Sequence, residues 1–182
     1  NIRPSYQMLK ALVREFPEIS LSSDDIVFIS PDEGAMSRSM YFASVMGVEL
    51  GMFYKRRNYS VIIDGKNPIE AHEYLGKSVE GKDVIIVDDM IDTAGTLCKA
   101  AEVLMSNGAL SVRACATHGI LSGKAIERLH NSVLSEVYIT DTIPHPELEG
   151  DPKIRIVSMA PVFASIIDKV YNYEPISPDF IY

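Results

Sequence analysis

Apolar positions along this chain follow two spacings in alternation. In residues 5–16, Met8, Leu9, Leu12, Val13 and Phe16 recur at helical spacing behind a Pro-Ser start, which predicts an amphipathic helix. IVFIS at 26–30 is a short apolar run that stops at Pro31, opens into Asp32-Glu33-Gly34 and leads to a helix-like stretch from Met36 to Met46. The strand, loop, helix unit recurs. Strands are predicted at 48–54, 84–89, 111–117 and 136–140, with a helix over 94–108 closed by Asn107-Gly108. A last helix is expected over 161–171, ahead of a Pro-containing tail lying on a surface or a partner.

Strands separated by about 20 to 30 residues with helices between them predict parallel crossovers. The expected fold is therefore α/β, a doubly wound, mainly parallel sheet flanked by helices, with ligands at the carboxyl ends of the strands. Three stretches do not fit the alternation. Residues 56–67 are polar and basic and read as a long mobile loop, and 142–153, with Pro144, Pro146, Gly150 and Pro152, as a second loop. Residues 69–77 fit either a helix or a strand.

The chain of 182 residues predicts one domain. Its 47% apolar and 23% charged residues match a globular protein, and no apolar run approaches the ~18 residues of a membrane span. A net charge of −8 disfavours nucleic acid and anionic membrane surfaces as partners, so any anion site must be local. Cys98 and Cys115 belong to no CxxC motif, which predicts neither a zinc site nor a disulfide framework. With no apolar leader in NIRPSYQ, a cytoplasmic location is expected.

The richest chemistry lies in the string from Val84 to Thr96, VIIVDDMIDTAGT. An apolar strand delivers the adjacent carboxylates of Asp88 and Asp89, and the turn Asp92-Thr93-Ala94-Gly95-Thr96 opens a helix. Free backbone N–H groups and about half a positive charge at a helix N-terminus favour an anion, and Gly95 lets it come close. Asp88 and Asp89 would repel a phosphate, so they suit vicinal sugar hydroxyls or a divalent cation. A phosphorylated sugar satisfies both halves. The plainer alternative is that Asp92 and Thr93 cap the helix while Asp88 and Asp89 are solvated strand-end charges.

This string resembles the phosphoribosyl diphosphate (PRPP) binding motif of the type I phosphoribosyltransferase fold, in the version found in ribose-phosphate diphosphokinases. Ser30-Pro31-Asp32-Glu33-Gly34-Ala35 resembles that family's SPD-x-GG segment, which implies Asp32 as a ligand of the Mg2+ on the ATP phosphates. Ala35 replaces the usual second Gly. Lys55-Arg56-Arg57 resembles the family's flexible catalytic loop, which implies Lys55 and Arg57 as the cations that carry transition-state charge. Ala116-Thr117-His118-Gly119 matches the THP segment with Gly119 for Pro; His118 reads as structural, and His72, His130 and His145 suggest no triad or metal cluster. Arg38 is expected to pair with Glu33 or another carboxylate. Gly76-Lys77-Ser78 mimics the end of a Walker A loop, but Ala71 stands where that loop needs Gly.

The resemblance covers most of the chain yet only the C-terminal half of the family's two-domain subunit. It implies the ribose 5-phosphate half of an enzyme that moves diphosphate from ATP to ribose 5-phosphate, with the fragment inactive or weak alone and homo-oligomers formed through the full subunit. Asn1, not an initiator Met, is read as the start of a piece of a longer protein. In this reading Asp92, Thr93, Ala94, Gly95 and Thr96 hold the 5-phosphate, and Asp88 with Asp89 hold the ribose hydroxyls. A phosphoribosyltransferase that consumes PRPP would use the same cradle, and a non-catalytic regulatory homologue would bind the sugar phosphate without turnover.

Overall fold

The computed structural model describes residues 5–15, 25–57 and 69–176. Apolar runs at 26–30 and 84–87 become the centre of a seven-stranded sheet. In chain order the elements are α1 (Ser5–Glu15), β1 (Ile26–Ser30), α2 (Met36–Met46), β2 (Glu49–Arg57), β3 (Ile69–Leu75), β4 (Asp83–Ile91), α3 (Gly95–Ser106), β5 (Ser111–Gly119), α4 (Ala125–His130), β6 (Glu136–Thr140), β7 (Ile154–Val157) and α5 (Ala160–Tyr171). The spatial order is β3-β2-β1-β4-β5-β6-β7, with every neighbouring pair parallel except β2 and β3. The chain steps outward from β1 to β3 and returns to the other side of β1 with β4. That reversal puts a topological switch point between β1 and β4, where the carboxyl ends of two strands flank a crevice.

Buried residues alternate along the central strands because successive side chains point to opposite faces. Ile26 and Phe28 of β1 with Ile85 and Val87 of β4 pack against Met8, Leu9 and Leu12 of α1 and Phe42 of α2. Val27, Ile29, Val84 and Ile86 pack on the other face with Leu97, Ala101 and Leu104 of α3 and Leu129 of α4. Two separate cores result. α2 ends at Gly47, whose φ of 66° is open to a residue without Cβ, and its N–H donates to the Ala43 carbonyl. At the amino ends of the strands Asp83 accepts from Arg113 at 3.1 Å, and the Nε atoms of Arg113 and Arg155 lie 3.5 and 3.6 Å from Glu136, tying β4 through β7 together.

Several boundaries differ from the sequence pattern. β2 continues through Arg56 and Arg57, so the expected loop at 56–67 starts later; residues 58–67 lie outside the described residues. The undecided stretch 69–77 is a strand over Ile69–Leu75. The loop expected at 142–153 contains a single 3₁₀ turn, Pro146–Leu148, and the strand β7 that follows it was not predicted, nor was the six-residue α4. The start before Ser5 and the tail after residue 176 also lie outside the described residues. Both cysteines are buried and free, and no helix among the described residues is long and apolar enough to cross a membrane.

Candidate active site

β4 carries its acidic pair to the switch point and sorts it by the strand's period of two. Asp89 turns to the α2 side, where its carboxylate lies 3.5 Å from Arg38 Nη2, the carboxylate partner expected for that arginine. Asp88 is partly buried, and its Oδ1 accepts the Asp89 N–H at 2.8 Å. Burial, followed by the neighbouring charges of Asp89 and Asp32, pushes the Asp88 carboxyl up to about 7.

Asp32 follows β1 after Pro31. Its backbone is extended at φ −165°, and its Oδ1 accepts the Ala35 N–H at 3.1 Å, capping the 3₁₀ turn Glu33–Ala35. Ala35 sits at φ −86°, a conformation that needs no glycine, and its N–H is already spent on Asp32. The substitution for Gly therefore costs the fold nothing here. Among the described residues no group of three or more His, Cys, Asp or Glu is placed to hold a metal ion.

The turn after β4 bears on the capping alternative. α3 begins at Gly95 with Ala94 at its N-cap, and no side chain caps it, so Asp92 and Thr93 do not play that role. Ala94 takes φ 59°, ψ 2°, a left-handed conformation costing a residue with a Cβ about 1 kcal/mol. The carbonyls before it turn toward residues 120–128: Ile91 accepts from the N–H groups of Ile120 and Leu121, Asp92 from Ser122, and Thr93 from Arg128 Nη1. The N–H groups of Ala94, Gly95 and Thr96 donate to nothing among the described residues. Asp92, Thr93 and Thr96 are exposed, Gly95 is half-buried and Ala94 is buried, so the turn runs from the surface into the core.

Ser30 pairs with Met52, so Lys55 and Arg57 lie on the continuation of β2 past the carboxyl end of β1, the end that carries Asp32. Lys55 pairs with His72 and Arg57 with Ile69, with a register shift between Arg56 and Arg57. The backbone thus sets the cationic run on the strand next to β1, on the side away from β4.

The sequence reading missed a polar cluster beside these groups. Thr140 Oγ1 donates to the Thr117 carbonyl at 2.6 Å and contacts Thr142 Oγ1 at 2.8 Å, which in turn meets His118 Nδ1 at 2.8 Å. Thr142 Oγ1 also lies 3.2 Å from the Thr117 carbonyl, so the two hydroxyls and the imidazole form one shared network. The polar run Thr140-Asp141-Thr142 at a strand end was the available signal. His145 sits between the Glu147 carboxylate at 2.8 Å and the Gly119 carbonyl; burial lowers its pKa, but these two partners raise it by more. His130 lies 2.8 Å from Asp151. Lys77, from the false Walker sequence, pairs with Glu49.

Gly119 is required by packing. A Cβ there would meet Ile139 Cδ1 at 2.6 Å and its Cγ2 at 3.2 Å. Gly119→Ala is expected to destabilise the fold by about 1 to 3 kcal/mol through overpacking. Ile139→Val, which removes Cδ1, should make the same change cheaper. A double-mutant cycle on thermal unfolding measures this, and purely additive effects would reject the contact.

The phosphoribosyl synthetase-associated domain model matches residues 60–181, more than half of the chain. The chain belongs to that family. The chain is 46% identical over 157 residues to the ribose-phosphate pyrophosphokinase of Caldanaerobacter subterraneus subsp. tengcongensis, covering 86% of this chain and 48% of that protein. It is similar to the crystal structure of phosphoribosylpyrophosphate synthetase from Mycobacterium smegmatis, with a TM-score of 0.78 and 30% identity, over 94% of this chain and 51% of that one. An adenine phosphoribosyltransferase structure, at a TM-score of 0.53 and 21% identity over 74% of this chain and 76% of the other, shares the fold. The domain therefore has the type I phosphoribosyltransferase fold expected from its sequence. It spans about half the length of the curated relatives it matches.

Proposed function

We propose that this chain is the ribose 5-phosphate half of a ribose-phosphate diphosphokinase, acting in a protein that supplies the other half as well. The observation that carries the reading is the turn from Asp92 to Thr96. It spends a left-handed alanine to present unpaired N–H groups at the start of α3, beside the acidic end of β4. A phosphate accepts from those donors, and Asp88 with Asp89 accept from the ribose hydroxyls. The similarity to ribose-phosphate pyrophosphokinases supports the same assignment.

In the proposed reaction the 1-hydroxyl oxygen of ribose 5-phosphate attacks the β-phosphorus of ATP. The bond from that phosphorus to the oxygen bridging the α-phosphate breaks, AMP leaves, and the hydroxyl proton passes to solvent. Lys55 and Arg57 supply positive charge to the moving diphosphoryl group, and the chemistry is positioning and electrostatics rather than covalent catalysis. The oxygen donors at the switch point suit Mg2+: Asp32 is close enough to raise Asp88, and a hard cation relieves that repulsion. Bound there, it would neutralise phosphate charge, with Asp32 as its protein ligand and substrate phosphates and water completing its shell. A cytoplasmic, homo-oligomeric enzyme is part of the same proposal.

Calorimetric titration with ribose 5-phosphate and then ATP, each with magnesium, tests this alongside an assay for AMP release. Ribose 5-phosphate binding by this chain without AMP release is the expected result. Absence of that binding sinks the proposal, and release of diphosphate from PRPP with a purine base would favour the phosphoribosyltransferase alternative.

A further inference from the structure

We infer that Arg128 is a positioning residue for the phosphate of the bound ligand, acting through the Thr93–Ala94 peptide; this rests on residues 92–96 being a sugar-phosphate cradle. Three successive carbonyls, from Ile91, Asp92 and Thr93, turn toward the segment 120–128. The first two are held by backbone N–H groups of Ile120, Leu121 and Ser122. No backbone group among the described residues takes the third, which accepts from the guanidinium of Arg128, reaching across from α4.

The peptide bond carries this hold to the other side. All peptide bonds among the described residues are trans, so the Thr93 carbonyl and the Ala94 N–H point in opposite directions. Drawing the carbonyl toward α4 aims the N–H away from it. A flip of this peptide would present an oxygen to the ligand where a donor belongs, and a phosphate would be repelled. Ala94 already sits in a left-handed conformation that its Cβ opposes, so the arrangement needs an external hold.

The charge pattern agrees. Arg128 is exposed and in no ion pair among the described residues, while the nearby Glu127 pairs with Lys124 at 3.7 Å. Its Nη1 lies 3.9 Å from where a Cβ on Gly95 would stand, so a cation borders the positive end of the α3 dipole. Two positive features side by side repel until an anion joins them. Arg128 is thereby tied to the ligand's phosphate and not to its sugar ring.

The test compares Arg128→Met and Arg128→Lys with the unaltered chain. Affinity for ribose 5-phosphate is measured by calorimetry, and 1H–15N spectra follow the Ala94 and Gly95 amides with ribose 5-phosphate or inorganic phosphate as the probe. In the unaltered chain both amide protons should move downfield. Arg128→Met should weaken ribose 5-phosphate binding by about tenfold or more and abolish the Ala94 shift in an otherwise native spectrum. Arg128→Lys, which retains a charged donor, should fall between the two, and it decides the matter if the methionine variant fails to fold. Retention of full affinity and of the Ala94 shift in either folded variant overturns the inference. So does lowered thermal stability with the Ala94 response unchanged, which marks a role confined to packing α4. If the unaltered chain shows no response at residues 93–96 to either probe, the cradle reading itself fails, and this inference with it.

Discussion

A Gly95→Val variant is expected to fold like the unaltered chain and to lose ribose 5-phosphate binding. The nearest atoms to a Cβ at position 95 are Arg128 Nη1 and Thr93 Oγ1, both at 3.9 Å, which is ordinary contact. Gly95 is the first residue of α3 and does not take a left-handed φ, so neither the backbone nor the space around a Cβ resists substitution there. Thermal unfolding should change by about 1 kcal/mol or less, since helix propensity is the main term. For an anion the effect is different. In the proposed cradle the new methyl groups would stand among the unpaired N–H groups of Ala94, Gly95 and Thr96. A phosphate held off by a methyl radius loses charge-assisted hydrogen bonds of roughly 1.5 to 3 kcal/mol each, so affinity should fall at least about a hundredfold. Calorimetry and thermal melts on one preparation check both halves. Unchanged affinity would mean that the phosphate does not rest on the start of α3.

Asp88→Asn is expected to stabilise the protein while damaging its site. Burial and the charges of Asp89 and Asp32 hold the folded-state carboxyl near 7, well above its ordinary 3.8. A raised carboxyl pKa favours the protonated form on folding. Stability linked to Asp88 is therefore complete below about 4 and declines as pH rises through about 7. Above that window the ionised group costs up to about 4 kcal/mol, less whatever residual hydration recovers. Asparagine carries no charge at any of these values. In the absence of ligand and divalent cations its melting temperature should exceed that of the unaltered chain by several degrees at about pH 8, and the difference should close towards about pH 4. The same change should weaken ribose 5-phosphate binding by about tenfold, because a charged acceptor for a hydroxyl is lost. A melting difference independent of pH would remove the buried charge as its cause.

The elements most legible in the sequence were those whose burial leaves a periodic mark. β1, α2 and β6 lie where their apolar spacing put them, because each contributes fully buried residues such as Phe28, Phe42 and Ile139. β2 extends through Lys55-Arg56-Arg57 because backbone pairing with β3 holds it, and three cations leave no apolar trace. β3 is an edge strand of mixed polarity, so neither period dominated. β7 has four residues and α4 six, too few to establish a pattern against neighbouring prolines.

Within the site, the strand-end position of Asp32, Asp88 and Asp89 followed from the apolar runs before them. What could not be read was contact across the chain. Asp89 finds Arg38, and Thr93 finds Arg128 from 35 residues away. The left-handed Ala94 was equally hidden, since alanine by composition predicts an ordinary helical residue.

The two cores on opposite faces of the sheet give the site a mechanical meaning. Asp89 is braced against α2 on one face, and the turn at Thr93 against α4 on the other. In the proposed binding mode a ligand that touches both would act as a clasp between the two layers. Occupancy would then be expected to raise the cost of opening both faces together.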